Sequence, residues 1–158
     1  MSTPPPQADA PRIQSFQDFW PYYLSEHSAP RCRHVHFIGT TGFVGYLSYL
    51  ISLDPMVGAA LGAALLIGWL SFRYEAKQNA AWALFGMIGL MVWATPAVLY
   101  GVLFAYAWAW VGHFIIERNR PATFSYPLWS LAGDFRMWGE MCIGRRWSGS
   151  SESQGDSL

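Results

Sequence analysis

From Ala80 to Ile116 the chain runs through 37 residues without a single Asp, Glu, Lys or Arg. Built as one helix at about 1.5 Å per residue, that run would reach about 55 Å. This is nearly twice the ~30 Å hydrocarbon core of a bilayer. The run must therefore break. Pro96 in "WATPAV" is the place, because it removes a backbone donor and disfavours helical geometry at Thr95. Upstream, the only fully charged residue between Arg33 and Arg73 is Asp54, in the turn-forming stretch "SLDP". Cutting at both points leaves four apolar stretches, about 36–53, 56–72, 80–95 and 97–116. The first two are near the lower limit for a crossing at about 1.5 Å per residue. The pattern predicts an all-α polytopic membrane protein with four transmembrane helices arranged as two hairpins.

Composition supports that class. Apolar residues make up 53 % of the chain and charged residues 13 %, against a charged share of about 25 % in soluble domains. The aromatic share of 17 % suits a chain anchored at membrane interfaces. With four spans, every Lys and Arg falls in 1–35, 73–79 or 117–158, on one side of the bilayer. The positive-inside rule then puts both termini in the cytoplasm. A net charge of zero argues against a nucleic-acid partner. The opening "MSTPPPQADAP" has no basic segment followed by an apolar core, so no cleaved signal peptide is expected. Residues 1–14 and 148–158 are expected as disordered tails around one membrane domain, 15–147. Within it, "FQDFWPYYLSEH" (16–27) and 126–147 read as interfacial helices at its N- and C-terminal ends. Gly58 and Gly62 have the spacing of a close helix–helix contact. Phosphate-binding loops, dinucleotide fingerprints and nucleophile elbows are absent from the sequence.

Against this apolar background the polar residues need explaining. On the expected topology His27, His34, His36 and His113 fall at one depth on the cytoplasmic side. His113 and Glu117, four apart, share a helix face. Ionisable groups at this depth are candidates for function. Neutral imidazoles with a carboxylate suit a borderline metal such as Fe(II), and four histidines favour one ion over two. Plainer readings stay open: Glu117 could pair with Arg120 or Arg136, and a histidine at a helix end could cap it. His34 and His36 point about 200° apart on a helix, so both could serve one ion only if the backbone there is irregular. Cys32 and Cys142 show no CxxC or zinc spacing, and no role is read for Cys32.

With those residues in view, the chain resembles the DUF962, or Mpo1-like, family. The resemblance is carried by "FWPYYLSEHSAPRCRHVHFIGT" (19–40) and "AWVGHFIIERNRPATFSYPLWSLAGDFRMW" (109–138). Within them stand Glu26-His27, Pro30, Arg33, His36-Phe37-Ile38-Gly39, Gly112-His113, Glu117 and Pro121-Ala122. The resemblance implies an Fe(II)-dependent dioxygenase of fatty acid α-oxidation, converting a 2-hydroxy fatty acid to the acid one carbon shorter with O2 and release of CO2. It implies His27, His36 and His113 as iron ligands and Glu117 as a ligand or an orienting group. His34 does not match the pattern, although ligation by it stays open. Arg33, Arg118 or Arg120 could pair with the substrate carboxylate, or bind lipid headgroups instead.

The expected partners are the lipid bilayer, a 2-hydroxy fatty acid and O2, with homo-oligomerisation left open. The competing reading is a non-catalytic lipid-binding or structural membrane protein whose His/Glu cluster is a hydrogen-bond network. The ending "GDSL" carries no retrieval motif, which favours a bacterial inner membrane over the endoplasmic reticulum.

Overall fold

The computed structural model describes residues 13–74 and 81–149, and among these every regular element is helical. The expected tails, apart from residues 13–14 and 148–149, and most of the polar link 73–79 lie outside the described residues. The helices are α1 (Phe16–Ser25), α2 (Pro30–Leu53), α3 (Pro55–Tyr74), α4 (Ala81–Ala94), α5 (Val98–Trp110) and α6 (Pro127–Cys142). A π-helical segment, Val111–Glu117, continues α5, and a short 3-10 turn, Ala122–Phe124, precedes α6.

Local chemistry accounts for the helix ends. Ser15 caps α1, its Oγ accepting from the Asp18 backbone N–H at 3.1 Å. Pro30 and Pro127 open α2 and α6 in their first turns, where a missing N–H costs nothing. Asp54 leaves helical geometry at φ −145°, and its Oδ1 accepts from Met56 N at 2.9 Å. One residue thus closes α2 and starts α3. Helix α4 ends at Ala94, and α5 begins at Val98, after Pro96.

Packing divides the molecule into two layers. In one, α2 lies against α5 and α3 against α4, around Leu47, Leu50, Val57, Ala60, Ala64, Met91 and Val98. The other is an aromatic platform of α1 and α6, in which fully buried Phe19 meets Tyr22, Tyr23, Tyr126 and Trp129 at ring-centroid distances of 5.4–5.9 Å. Helix α6 joins the layers by packing against both α2 and α4.

Among the described residues, two helical stretches are long and apolar enough to cross a membrane, Pro55–Arg73 and Val98–Glu117. The rest of the chain covers little of either, burying 28 % and 17 % of their apolar windows. Trp69, Phe85, Trp93, Tyr100 and Leu103 are all more than half exposed. The described part of α4 has 14 residues, about 21 Å of helix, which is short of a full crossing. The expected glycine contact on α3 is not a close one: a β-carbon at Gly62 would meet nothing within 4 Å, and one at Gly58 only Ile51 Cγ2 at 3.4 Å. The close backbone approach lies between α2 and α5. A β-carbon at Gly39 would sit 3.1 Å from the Ala105 carbonyl, and one at Gly112 would sit 3.0 Å from Cys32 Sγ.

Candidate metal centre

The α2–α5 approach brings together side chains that are far apart in sequence. His27 follows α1, His36 sits in the second turn of α2, and His113 lies in the π-helical segment after α5. All three are buried, at 1 %, 5 % and 3 % exposure. Their rings form a triangle with centroid separations of 4.5 Å (His27–His36), 4.6 Å (His27–His113) and 5.1 Å (His36–His113). A π-helical segment at this point is in keeping with the frequent siting of such geometry at functional sites.

Each imidazole is held through Nδ1. His27 Nδ1 donates to the Tyr23 carbonyl at 2.7 Å, and His36 Nδ1 to the Asp134 carboxylate at 3.0 Å. His113 Nδ1 lies 2.8 Å from Asn119 Oδ1. The Asn119 amide is oriented from its other side, because Nδ2 donates to the Glu26 carbonyl at 2.9 Å and to Glu26 Oε2 at 2.8 Å. His113 is therefore the donor. Three rings that carry their proton on Nδ1 keep the Nε2 lone pair free, the form that ligates metals. Buried Nε2 of His27 and of His36 has no hydrogen-bond partner. An orphaned buried polar atom costs roughly 1–3 kcal/mol, which a metal ion at that position would offset. The donor set therefore fits a transition metal.

Cys32 completes the picture. Among the described residues, ligand atoms of His27, Cys32 and His36 all lie within 4.8 Å of one another. Burial, with Glu117 and Asp134 close by, raises the thiol pKa, so without an ion Cys32 stays protonated. Burial beside His36 and His113 holds His27 well below the usual imidazole range, which keeps it neutral and available.

The other sequence candidates sit around this triangle. Glu117 Oε1 accepts from Ala29 N at 2.7 Å and Oε2 from Ser28 Oγ at 2.9 Å, so the carboxylate caps the start of α2. His34 faces away, its Nε2 3.0 Å from the Trp147 carbonyl. Arg33 is fully buried, and its guanidinium donates to the carbonyls of His27, Ser28, Arg146 and Gly149 at 2.7–2.9 Å. It is a staple between the His27 loop and the C-terminal segment rather than a cation facing a substrate. Arg118 and Arg120 are exposed beyond the π-helical segment, with Arg120 stacked 5.0 Å over Phe124.

Sequence reasoning missed Tyr23, Asn119 and Asp134. Asp134 did carry a signal. It follows Ser130 by four residues and precedes Met137 and Met141 by three and seven, a spacing that puts it beside the buried stripe of α6. An acid on such a stripe needs a partner. Asn119 carried a weaker one, as an Asn after a helix end. Left-handed Arg118 (φ 56°) and the Asn119 N–H···His113 carbonyl bond of 3.0 Å fold the chain back and bring its amide to His113.

A family model described as 2-hydroxy-palmitic acid dioxygenase Mpo1-like matches residues 13–146. The chain belongs to the Mpo1-like family. The matched region takes in all three imidazoles of the centre together with Tyr23, Asn119 and Asp134. Comparison with curated proteins and with solved structures returned no match.

Proposed function

We propose that this protein is an integral membrane Fe(II) dioxygenase that shortens a 2-hydroxy fatty acid by one carbon. The single observation that carries the reading is the buried triangle of Nδ1-anchored imidazoles in a chain of the Mpo1-like family. The reaction balances without an added reductant: R–CH(OH)–COOH and O2 yield R–COOH, CO2 and H2O, with O2 taking the four electrons released. His27, His36 and His113 would hold the ion through Nε2. When bound, iron would supply open coordination for the redox chemistry of O2 with a 2-hydroxy acid.

The chain's own groups do the rest. Tyr23, Asp134 and Asn119 fix the orientation of the imidazoles. Glu117 and Arg33 hold the loop that carries His27, one from its hydroxyl and N–H groups and the other from its carbonyls. Arg118 and Arg120, exposed just past the π-helical segment, would draw the anionic headgroup toward the site. The exposed apolar faces of α3 and α5 support lipid contact, with the acyl chain in the hydrocarbon and both termini in the cytoplasm. The charge pattern supports α2–α5 as the membrane layer and α1 with α6 as its cytoplasmic platform.

A second reading has its own observation. A His27–Cys32–His36 donor set, with atoms within 4.8 Å of one another, suits Zn(II) held by three protein ligands with a fourth position left open. Protein purified without oxygen should carry close to one iron per chain, and His113→Ala should lose it. Incubation with a 2-hydroxy fatty acid, Fe(II) and O2 should release CO2 and the acid one carbon shorter. Substrate returned unchanged by iron-loaded protein would sink the dioxygenase reading. A thiolate-to-metal absorption band in the Co(II)-substituted protein, lost in Cys32→Ser, would favour the cysteine-ligated site.

A further inference from the structure

Two of the three imidazoles are governed by one pair of residues that lies 111 positions apart in the chain, Tyr23 in α1 and Asp134 in α6. Tyr23 acts on His27 twice. Its carbonyl accepts from Nδ1 at 2.7 Å, and its ring stacks on the imidazole at a centroid distance of 4.1 Å and 26° between planes. The Tyr23 hydroxyl donates to Asp134 Oδ1, the same oxygen that accepts from His36 Nδ1 at 3.0 Å. One carboxylate oxygen therefore joins the phenol stacked on one imidazole to the Nδ1 of the next. The neighbouring residue makes room for this. A β-carbon at position 133 would fall 2.8 Å from Tyr23 Cδ2 and 2.9 Å from Cε2, so Gly133 lets the phenol reach the aspartate.

We propose that Tyr23 and Asp134 form a coupled positioning pair through which the cytoplasmic platform sets the metal affinity of the centre. The inference rests on the reading of the three histidines as a metal centre and adds to it a specific means of control. A carboxylate on the remote nitrogen fixes the tautomer and makes Nε2 more basic. Such partners are typically worth about 10–100-fold in metal affinity. The Tyr23 hydroxyl bond holds the carboxylate in line with His36 and the phenol ring in place over His27.

Co(II) titration of the purified, metal-free full chain, read by its visible absorption, tests the pair. Asp134→Ala should weaken Co(II) binding about 100-fold and Asp134→Asn, which keeps the shape, about tenfold. Tyr23→Phe keeps the ring and carbonyl and should cost a few-fold on its own. Added to Asp134→Ala it should cost nothing more, because the hydroxyl acts only through the carboxylate. Wild-type affinity in both Asp134 variants would overturn the proposal, as would independent, multiplying losses in the double variant. A loss of affinity matched by a fall in the melting temperature of the metal-free protein would assign the pair to folding instead. His113→Ala separates the two levels. If it binds Co(II) like the wild type, the three-histidine ligand set on which the inference rests is wrong. If it loses Co(II) while the Asp134 variants do not, only the positioning pair fails.

Discussion

Helix α2 packs on α5 along its length, yet its two ends are built on different principles. At the N-terminal end Cys32, Arg33 and His36 are buried, and the π-helical segment approaches so closely that a β-carbon at position 112 would sit 3.0–3.2 Å from Cys32, His36 and Val35. Apart from the Nε2 atoms of His27 and His36, polar groups there are closely paired: Arg33 with four carbonyls, Glu117 with Ser28 and Ala29, each imidazole Nδ1 with its own acceptor. At the C-terminal end the core is Leu47, Leu50 and Val57 against Met91 and Val98, and a side-chain hydrogen bond across to the α5 side, Tyr46 Oη to the Ala97 carbonyl, is long at 3.3 Å. Apolar contact is non-directional and tolerates substitution, whereas a buried polar network has few alternative arrangements. The first end is fixed in detail and the second only in outline.

The largest effect should come from taking away the staple. Arg33→Ala leaves carbonyls of the His27 loop and of the C-terminal segment without their donor, and should lower stability by about 3–5 kcal/mol. Tyr46→Phe, at the other end of the same helix, should cost less than about 1 kcal/mol. Thermal unfolding of the detergent-solubilised protein measures both, and equal losses would erase the contrast.

A pair of glycine substitutions sharpens it. Gly112→Ala puts a methyl group 3.0 Å from Cys32 Sγ and 3.1 Å from His36 Cδ2, and such overpacking costs about 1–3 kcal/mol. It should also displace His36 and weaken metal binding. Gly62→Ala points into open space and should be neutral or stabilise by about 0.5–1 kcal/mol through helix propensity. A stable Gly112→Ala protein with full metal content would show that the approach is looser than its distances imply.

Smaller than the losses expected of Arg33→Ala is a pH dependence that arises at the site. Burial, with His36 and His113, keeps His27 uncharged in the metal-free fold, while the unfolded chain takes up a proton near pH 6.5. The unfolded state therefore binds more protons as pH falls, and stability should drop below about pH 6.5 by about 1.4 kcal/mol per unit. Melting temperatures of metal-free protein between pH 7.5 and 5.5 check this, with His27→Gln expected to flatten the slope.

Much of the architecture is legible from local chemistry. The break at Asp54–Pro55 and the break at Pro96 follow from a charge and two rings that no continuous apolar helix accommodates. All four histidines stand out because imidazoles are costly in such surroundings, and the rings of the three that the family resemblance singles out, His27, His36 and His113, lie within 5.1 Å of one another. The opposite faces of His34 and His36 are equally readable: two residues of helix separate them, and one turns to Trp147 while the other joins the triangle. The carboxylate was harder. Four-residue spacing places His113 and Glu117 toward the same neighbour, but does not say which atoms of that neighbour each will meet. Glu117 reaches the N–H and hydroxyl groups ahead of α2, and the carboxylate on an imidazole is Asp134, 98 positions from His36.

Sequence alone determined an apolar, all-helical chain, where its helices must stop, and that its four imidazoles carry an unusual desolvation cost. These properties depend on residues and their immediate neighbours. Only the tertiary structure decided which nitrogen of each ring is held, which acid holds it, and that Arg33 is bound to carbonyls. Those choices depend on how closely α2, α5 and α6 approach, and that distance is set by side chains missing at Gly39, Gly112 and Gly133.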